Sequence, residues 1–502
     1  MIPKTPFDKP NSSDYKDYPL VTDLSENIDN VKNIMSQSSD LLVNEFTIGN
    51  TKLVLLCLEG MVSTGTLADM ILYPMTTITL PPGENADSVT IYNHIKDNML
   101  LGIDRLVTAK ISDVIKRLMA GFAIIMVDGI ASAFCYGAQG YNTRGVGEPS
   151  SEGNLRGSRE GFVETVRTNM SMIRRRIKSP LLKFDLFQVS TKSNNDVVMC
   201  YMTDRVPKKL LADIKRKLLN MQMESVIESG YVEPYLNETK LSVFSGVSVT
   251  ERPDVFTAKL LEGKIGVLID GTPFSIVLPF LFIENFQTID DYTSRPFYTT
   301  LVRLIRYLSF FISIFLPALY VAVINFHPEL FNHTLLVTLA EAEEQSAFPL
   351  AIEAIIILLA YEIIRESSLR LPKSIGGGVS IIGGLIIGDT AVSAGIISNP
   401  ILLVCAIAVI ASFLIPNLYQ PVAFLRIIAV IAGGVAGLYG IALFAAVLLI
   451  NICSLESYGA PVTAPVSPFT ARSMRDVLTR ISMKSMVKDK ITIEKLNGVN
   501  MK

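Results

Sequence analysis

The 502-residue chain has three histidines, and its five cysteines are scattered with no C-x-x-C pair among them. His94, His327 and His333 lack a Ser, Cys or acidic partner at a catalytic spacing, and the polar part of the chain has no standout carboxylate pair. A zinc centre, a dithiol redox site and a nucleophile–histidine arrangement are unsupported, so no catalysis, metal or cofactor is expected. Cys57, Cys135, Cys200, Cys405 and Cys453 read as small buried hydrophobes of a reduced compartment. No Gly-Lys-Ser/Thr follows the glycine-rich stretches, which excludes a Walker A phosphate loop. A net charge of −2 argues against a general nucleic-acid binder. The opening stretch MIPKTPFDKPNSSDYKDYP has no apolar core and does not read as a signal peptide. No internal repeat is evident.

What is present is uneven. Residues 1–300 compose like soluble protein, whereas 301–453 are apolar with very few charges. Tyr307–Phe326 runs without a charge, long enough for a ~30 Å hydrocarbon layer at ~1.5 Å per residue. Five hydrophobic stretches follow one another, at about 303–326, 348–364, 375–397, 401–417 and 427–452. Arg303 and Arg306 flank the first, and the loop His327–Phe348 has no Lys or Arg but carries Glu329, Glu341, Glu343 and Glu344. Arg365, Arg370 and Lys373 then mark a return to the cytoplasmic side. Because the tail is basic again, one stretch is expected not to cross; 401–417, the shortest and ending at Pro416 and Pro421, is that candidate. Both termini would then be cytoplasmic.

The expected fold is an α/β (α+β) N-terminal region of two subdomains followed by a transmembrane bundle of four to five helices. Residues 1–40 read as a disordered or loosely docked arm, 41–150 and 151–298 as the subdomains, 299–455 as the membrane part, and 456–502 as a basic tail. LVLLCL and FAIIMVD read as buried strands and SVTIYNHIKDNMLLG as a helix-bearing crossover. KFDLFQVS and DVVMCYMT form a strand pair, followed by the helix KKLLADIKRKLLNM and the strand KIGVLID.

Four features are site candidates. In NLRGSREGFVETVRTNMSMIRRRIKSP, Phe162, Val166, Met170, Ile173 and Ile177 make an apolar stripe on a helix of roughly 159–178, with Ser158 as its cap and Pro180 as its stop. Arg174, Arg175 and Arg176, with Arg156 and Arg159, face water or contact an acidic partner or anionic lipid. In IGGGVSIIGGLIIGDTAVSAGI, Gly377, Gly384, Gly388 and Gly395 fall within about 20° of a common direction on a helix, a face for close packing. Roughly opposite lie Val379, Ile382, Ile386, Asp389 and Ser393, which would line protein or a watery path. Gly433 and Gly437 repeat the packing spacing in the last stretch. Glu353 and Glu362 point to opposite sides of one helix; Glu362 can pair with Arg365, so Glu353 is the functional candidate.

EPSSEGNLRGSREGFVETVRTNMSMIRRRIKSPLLKFD, ESGYVEPYL, ERPDVFTAKLLEGKIGVLIDGTPF and YEIIRESSLRLPKSIGGGVSIIGGLIIGDTAVSAG, with RLIRYLSFFISIFLPALYVAVINFHPEL and SYGAPV, together resemble the A subunits of bacterial spore germinant receptors, the GerA family. The resemblance implies an inner-membrane spore protein that assembles with a permease-like B subunit and a lipoprotein C subunit. It also implies a ring of A subunits, a pentamer, around a cation pore that nutrient opens. Ser158 departs from the Pro the family usually has in RGPREGF, and EAEEQSAFP lacks its Arg-Glu-Gly. On this reading Val379, Ile382 and Ile386 form a hydrophobic constriction and Asp389 sets a cation preference. The alternatives are the sporulation stage V homologue of the same family, a solute transporter subunit, and a docking scaffold with a membrane anchor.

Overall fold

The computed structural model describes residues 18–77, 87–98, 104–140, 149, 152–153, 156–221, 223–239, 242–372, 384, 388–481 and 492–501. The first subdomain contains α1 (Leu24–Ile34), β1 (Leu41–Ile48), β2 (Thr51–Leu58), α2 (Ser88–Asn98), β3 (Arg105–Thr108), α3 (Ile111–Met119), β4 (Ala123–Val127) and β5 (Ala133–Tyr136). Its strands pair antiparallel in the order β1-β2-β4-β5-β3. TKLVLLCL is a continuous apolar run because both its faces are covered. Val54, Leu56 and Leu58 pack with α1 and α3, whereas Leu53, Leu55 and Cys57 pack with Ile91 and Ile95 of α2. Thus the segment expected to be a loose arm is, from Leu24, a structural helix with Leu24, Ile28 and Val31 in the core.

The second subdomain contains α4 (Val166–Arg176), β6 (Leu182–Val189), β7 (Asn195–Met202), α5 (Lys208–Leu219), α6 (Ser229–Leu236), β8 (Ser248–Thr250), α7 (Pro253–Leu261), β9 (Ile265–Ile269) and β10 (Ser275–Leu278). Its order, β6-β7-β9-β10-β8, repeats the first sheet strand for strand. The likeness reaches single side chains. Val21 and Asn27 exchange two hydrogen bonds across the start of α1, and Val163 and Asn169, each 142 positions on, do the same across the start of α4. Asp128 accepts from the Leu24 N–H at 3.3 Å, and Asp270, again 142 on, accepts from Val166 N–H at 3.0 Å. No repeat is evident in the sequence; the structure shows one.

That cap also corrects the helix read at about 159–178. The N-terminal amide of α4 is satisfied from another strand's turn by Asp270, so the helix starts at Val166 and ends at Arg176. Ser158 instead accepts from Glu160 N–H and from Arg176.

The apolar region follows: α8 (Pro296–Phe326), α9 (His333–Glu344), α10 (Leu350–Arg370), α11 (Asn399–Ser412) and α12 (Tyr419–Ser454). Among the described residues two segments, Pro296–Phe326 and Pro416–Ser454, are long and apolar enough to cross a membrane. The second is not one rod. At Ala436 (φ −128°, ψ 16°) and Gly437 (φ 59°, ψ −144°) the helix breaks, a left-handed backbone that glycine adopts without a Cβ clash.

The chain then reverses. Gly433 lies against the Ala318 carbonyl and Gly437 against Phe326, so the first arm runs with α8. Phe444 packs on Phe315 at 6.0 Å, so the second arm runs back along it. Ile441 sits beside Gly433, eight residues away, where a straight helix would separate them by ~12 Å. Each arm of about 17 residues is ~25 Å long.

Asn399–Ser412, within the stretch expected not to traverse, is a shorter apolar helix than the two long enough to cross. Ser398 N–H bonds Glu353 at one end of the bundle, and Phe413 stacks on Tyr419 beside Glu362 at the other. It is the last stretch that doubles back, returning the chain to the second subdomain, where Asn451 accepts from Ser242 at 2.9 Å. The C-terminal segment packs there too: Tyr458, Ala460, Ala464, Ile493, Leu496 and Met501 share a core with Ile214, Leu218 and Val267. Gly437 is therefore a turn former, whereas Gly433 lies close against the Ala318 carbonyl of α8.

Candidate functional site

Two buried charge networks join the parts of the molecule. The first lies where the second subdomain hands over to α8. Asp291, 2% exposed, accepts from Arg303 Nε at 2.9 Å and from Arg306 at 2.9 Å. Arg303, fully buried, also bonds Asp476 of the C-terminal segment at 2.9 Å, and Tyr292 Oη donates to the same carboxylate at 2.8 Å. Arg480 donates to the carbonyls of Ser294 and Tyr292 at 2.6 and 3.0 Å. One step away, buried Lys264 and half-buried Lys259 both hold Glu284, at 2.5 and 2.8 Å. Burial alone would raise the Glu284 carboxyl, but the two ammonium groups bring it down to about 2. A cleft of about 240 Å³ opens here, lined among others by Lys259, Glu284, Gln287, Asp476 and Ile493.

Such a network costs desolvation and repays it only with complete pairing, so removing one member leaves a neighbour charged and buried. It therefore ties three segments far apart in sequence into one mechanical unit. Arg303 and Arg306 were visible in the sequence as basic flanks of an apolar run. Asp291 and Asp476 were not singled out, although a buried arginine pair calls for nearby carboxylates, and Asp290-Asp291 lies a dozen residues upstream.

The second network joins the subdomains. Arg174 is fully buried and bidentate to Asp40, at 2.8 and 3.0 Å, and donates to the Ser179 and Leu182 carbonyls. Its guanidinium also lies over Phe184, 4.9 Å from the ring centroid. Arg175 and Arg176 both bind Glu160, at 2.6 Å each. Partial burial would raise that carboxyl, yet the two arginines hold it below its ordinary range. The arginine cluster expected to face water, lipid or an acidic partner is thus mostly spent inside the chain. Arg156 and Arg159 are exposed, and the Arg156 N–H bonds Asp290 at 3.3 Å.

The sequence matches the family described as Bacillus/Clostridium GerA spore germination protein over residues 29–491. The chain belongs to the GerA family. Spore germination protein KA of Bacillus subtilis (strain 168) is 35% identical over 91% of this chain and 84% of its own length. The uncharacterized membrane protein YfkQ of the same organism is 33% identical over 97% and 94%, and spore germination protein GerLA of Bacillus cereus 34% over 75% and 77%. The crystal structure of the N-terminal domain of the A subunit of the Bacillus megaterium spore germinant receptor GerK3 aligns with TM-score 0.42 and 27% identity, covering 53% of this chain and 99% of that one.

In this GerA-family chain, Val379, Ile382, Ile386 and Gly377 lie outside the described residues. Asp389 and Ser393 are exposed on the surface of the single chain rather than enclosed in the bundle. Gly388 packs near Leu402 of α11, while Gly384 has open space around it. Gly395, at φ +63°, ends the helical turn before α11, and a Cβ there would meet the Gln345 carbonyl. Glu353 is 1% exposed and hydrogen-bonded through both oxygens, to Ser346 Oγ and Ser398 N–H. Glu362 pairs with Arg365 at 3.7 Å as its spacing suggested, and with buried Arg426 at 3.6 Å, which the sequence reading had not joined to it.

The expectation for the cysteines needs one change. Four are buried, and burial pushes Cys57 up to about 11 and Cys135 to about 12, so both are inert. Cys453 is exposed on the chain surface.

Proposed function

We propose that this protein is the A subunit of a nutrient-responsive spore germinant receptor. Copies of it would surround an ion pathway in the spore inner membrane, opened when a permease-like B subunit binds nutrient, with a lipoprotein C subunit completing the complex. The observation that carries this reading is the buried Arg303–Asp291–Asp476 junction. A rigid link between a soluble sensor-side unit and the first long helix is what a device passing a binding event into a membrane needs. Membership of the GerA family supports the receptor role. Exposed Asp389 and Ser393 suit a face shared by neighbouring copies around a pathway, the Asp389 carboxylate favouring cations.

Spores carrying Val379→Ala, Ile382→Ala or Asp389→Asn provide the test, scored for ion release and germination at unchanged protein level. Altered release supports the channel, and unchanged release in all three removes these residues from the pathway. Current across bilayers holding the purified complex separates a channel from a docking scaffold. A sporulation defect in place of a germination defect would favour the stage V homologue.

A further inference from the structure

Arg426, on the first arm of α12, is a buried charge that its own chain leaves unsatisfied. It is 1% exposed, and its Nε and Nη1 are buried with no hydrogen-bond partner among the described residues. Its carboxylate partner is Glu362 of α10, whose Oε1 lies 3.6 Å from Nη2, outside hydrogen-bond distance. That oxygen already accepts from Tyr419 Oη at 2.6 Å. The other Glu362 oxygen faces Arg365 at 3.7 Å, and Arg365 lies over the Tyr419 ring, 3.7 Å from its centroid. Phe413, at the end of α11, stacks on Tyr419 with centroids 6.4 Å apart and stands as far from Tyr361. One cluster therefore joins α10, α11 and α12.

Two guanidinium groups here share one carboxylate. Among the described residues no second acid balances them. α11 has no charged residue, α12 has Arg426 alone, and α8 has only Arg303 and Arg306, both committed to the junction. Glu366 is held by Arg370 at 2.5 Å, and Glu353 lies nine residues of helix, ~13 Å, away along α10. Asp389 follows Gly388, which lies near Leu402, towards the opposite end of α11 from Phe413. The cluster is thus one positive charge in excess, with open donors on its most buried member. A buried charge without hydrogen bonds is costly, and a guanidinium presents paired N–H groups that fit a phosphate.

We infer that Arg426 and Arg365 bind one phosphate group, the headgroup phosphodiester of an anionic phospholipid. A phosphodiester carries the single negative charge that the cluster lacks. Position selects a lipid as its source. Counting back along both helices from the Gly433–Ala318 contact puts Tyr419 level with Leu304, beside the junction arginines, so the cluster lies at the subdomain end of the bundle. Headgroups of one leaflet stand at that level when α8 and α12 span a bilayer, and basic sites between helices there take anionic headgroups. Glu362 and Arg365 are partly exposed, which opens the cluster to the surface. Exposed Phe413, Ile363 and Phe424 flank it and give acyl chains an apolar face that free phosphate would not use. The inference rests on the membrane placement of these helices and not on ion conduction.

Native mass spectrometry of the full-length protein, purified in neutral detergent and freed of lipid, identifies the bound molecule by its mass. Dioleoyl phosphatidylglycerol, dioleoyl phosphatidylcholine and inorganic phosphate are titrated separately. One phosphatidylglycerol per chain should bind saturably, at least tenfold more tightly than phosphatidylcholine, with no phosphate retained. Arg426→Gln should weaken that binding tenfold or more and Arg365→Gln about threefold, whereas exposed Arg370→Gln should change it less than twofold. Should Arg426→Gln fail to fold, Arg426→Lys keeps the charge, loses the fork and should bind at least threefold more weakly. Phosphatidylglycerol should also raise the melting temperature of the unaltered protein and leave that of the Arg426 variant unmoved. Binding indifferent to both Arg426 variants, an equal loss in Arg370→Gln, or phosphate held in place of lipid would overturn the site. Fractionation of spores tests the placement separately. Recovery of the chain without membrane would overturn placement and site together; recovery with membrane but no saturable phosphatidylglycerol binding would overturn this site alone.

Discussion

The two halves of the soluble region share one plan and differ in what they are joined to. Each has a helix capped by an Asp-Gly turn, a hairpin, and a strand–helix–hairpin unit in the same order. Gly121 and Gly263, 142 positions apart, take the same left-handed conformation at φ +82° and +87°. The next residue separates the halves. In the first it is Phe122, 5% exposed, closing an apolar core under Arg117. In the second it is Lys264, 1% exposed, gripping Glu284 on the segment that leads to α8. One copy keeps the apolar solution, whereas the other has a buried cation tied to the route into the bundle. The lesson is that a duplicated scaffold can divide its labour at single positions. The first half meets the second through Asp40 and Arg174; the second also carries the tail, the junction and the exit.

The comparison can be broken or sharpened in four ways, from the largest expected effect to the smallest. Asp291→Ala leaves Arg303 and Arg306 buried without their shared carboxylate and should cost about 3–5 kcal/mol. Hydrogen exchange should rise at the base of α8 and in 473–480 while the first sheet keeps its protection. Equal loosening of both sheets would show that the second half is not the special one.

Lys264→Phe imitates the first half. Glu284 would keep Lys259 alone, so a loss of about 2–3 kcal/mol is expected in denaturant unfolding. Pairing it with Glu284→Leu should recover most of that loss, since apolar residues can replace a buried ion pair.

Asp128→Ala and Asp270→Ala remove corresponding helix caps, and each should cost about 1 kcal/mol. Costs differing by more than twofold, measured the same way, would mean that the caps match in geometry but not in energy.

The smallest effect near neutral pH concerns acid. Glu284 is held down to about 2 in the folded protein, below its ordinary value of 4.5. Its stabilisation is therefore complete above about pH 4.5 and is lost as pH falls towards 2. Protection of the second subdomain and tail should fall over that window, and Glu284→Gln should remove that part of the dependence.

Much of this was legible in the chain. The strands at 53–58 and 265–269 were readable because continuous apolar runs of that length are buried on both faces. The Glu362–Arg365 pair followed from helix geometry alone. The repeat was legible but missed: VDG at 127–129 and IDG at 269–271 sit 142 apart, each after a glycine seven residues before its Asp.

What composition and periodicity determined is the division into a soluble α/β half and an apolar helical half, because burial demands leave a periodic mark on every turn and strand. What only the tertiary structure decided is which charges are spent inside. Arg174, Arg303 and Arg426 look in sequence like any other arginines. Their partners Asp40, Asp291, Asp476 and Glu362 lie from 12 to 173 residues away. The reversal at Gly437 was equally hidden. A glycine within an apolar run fits a packing face or a turn, and the neighbours that choose between them, Phe326 and Ala318, lie on another helix.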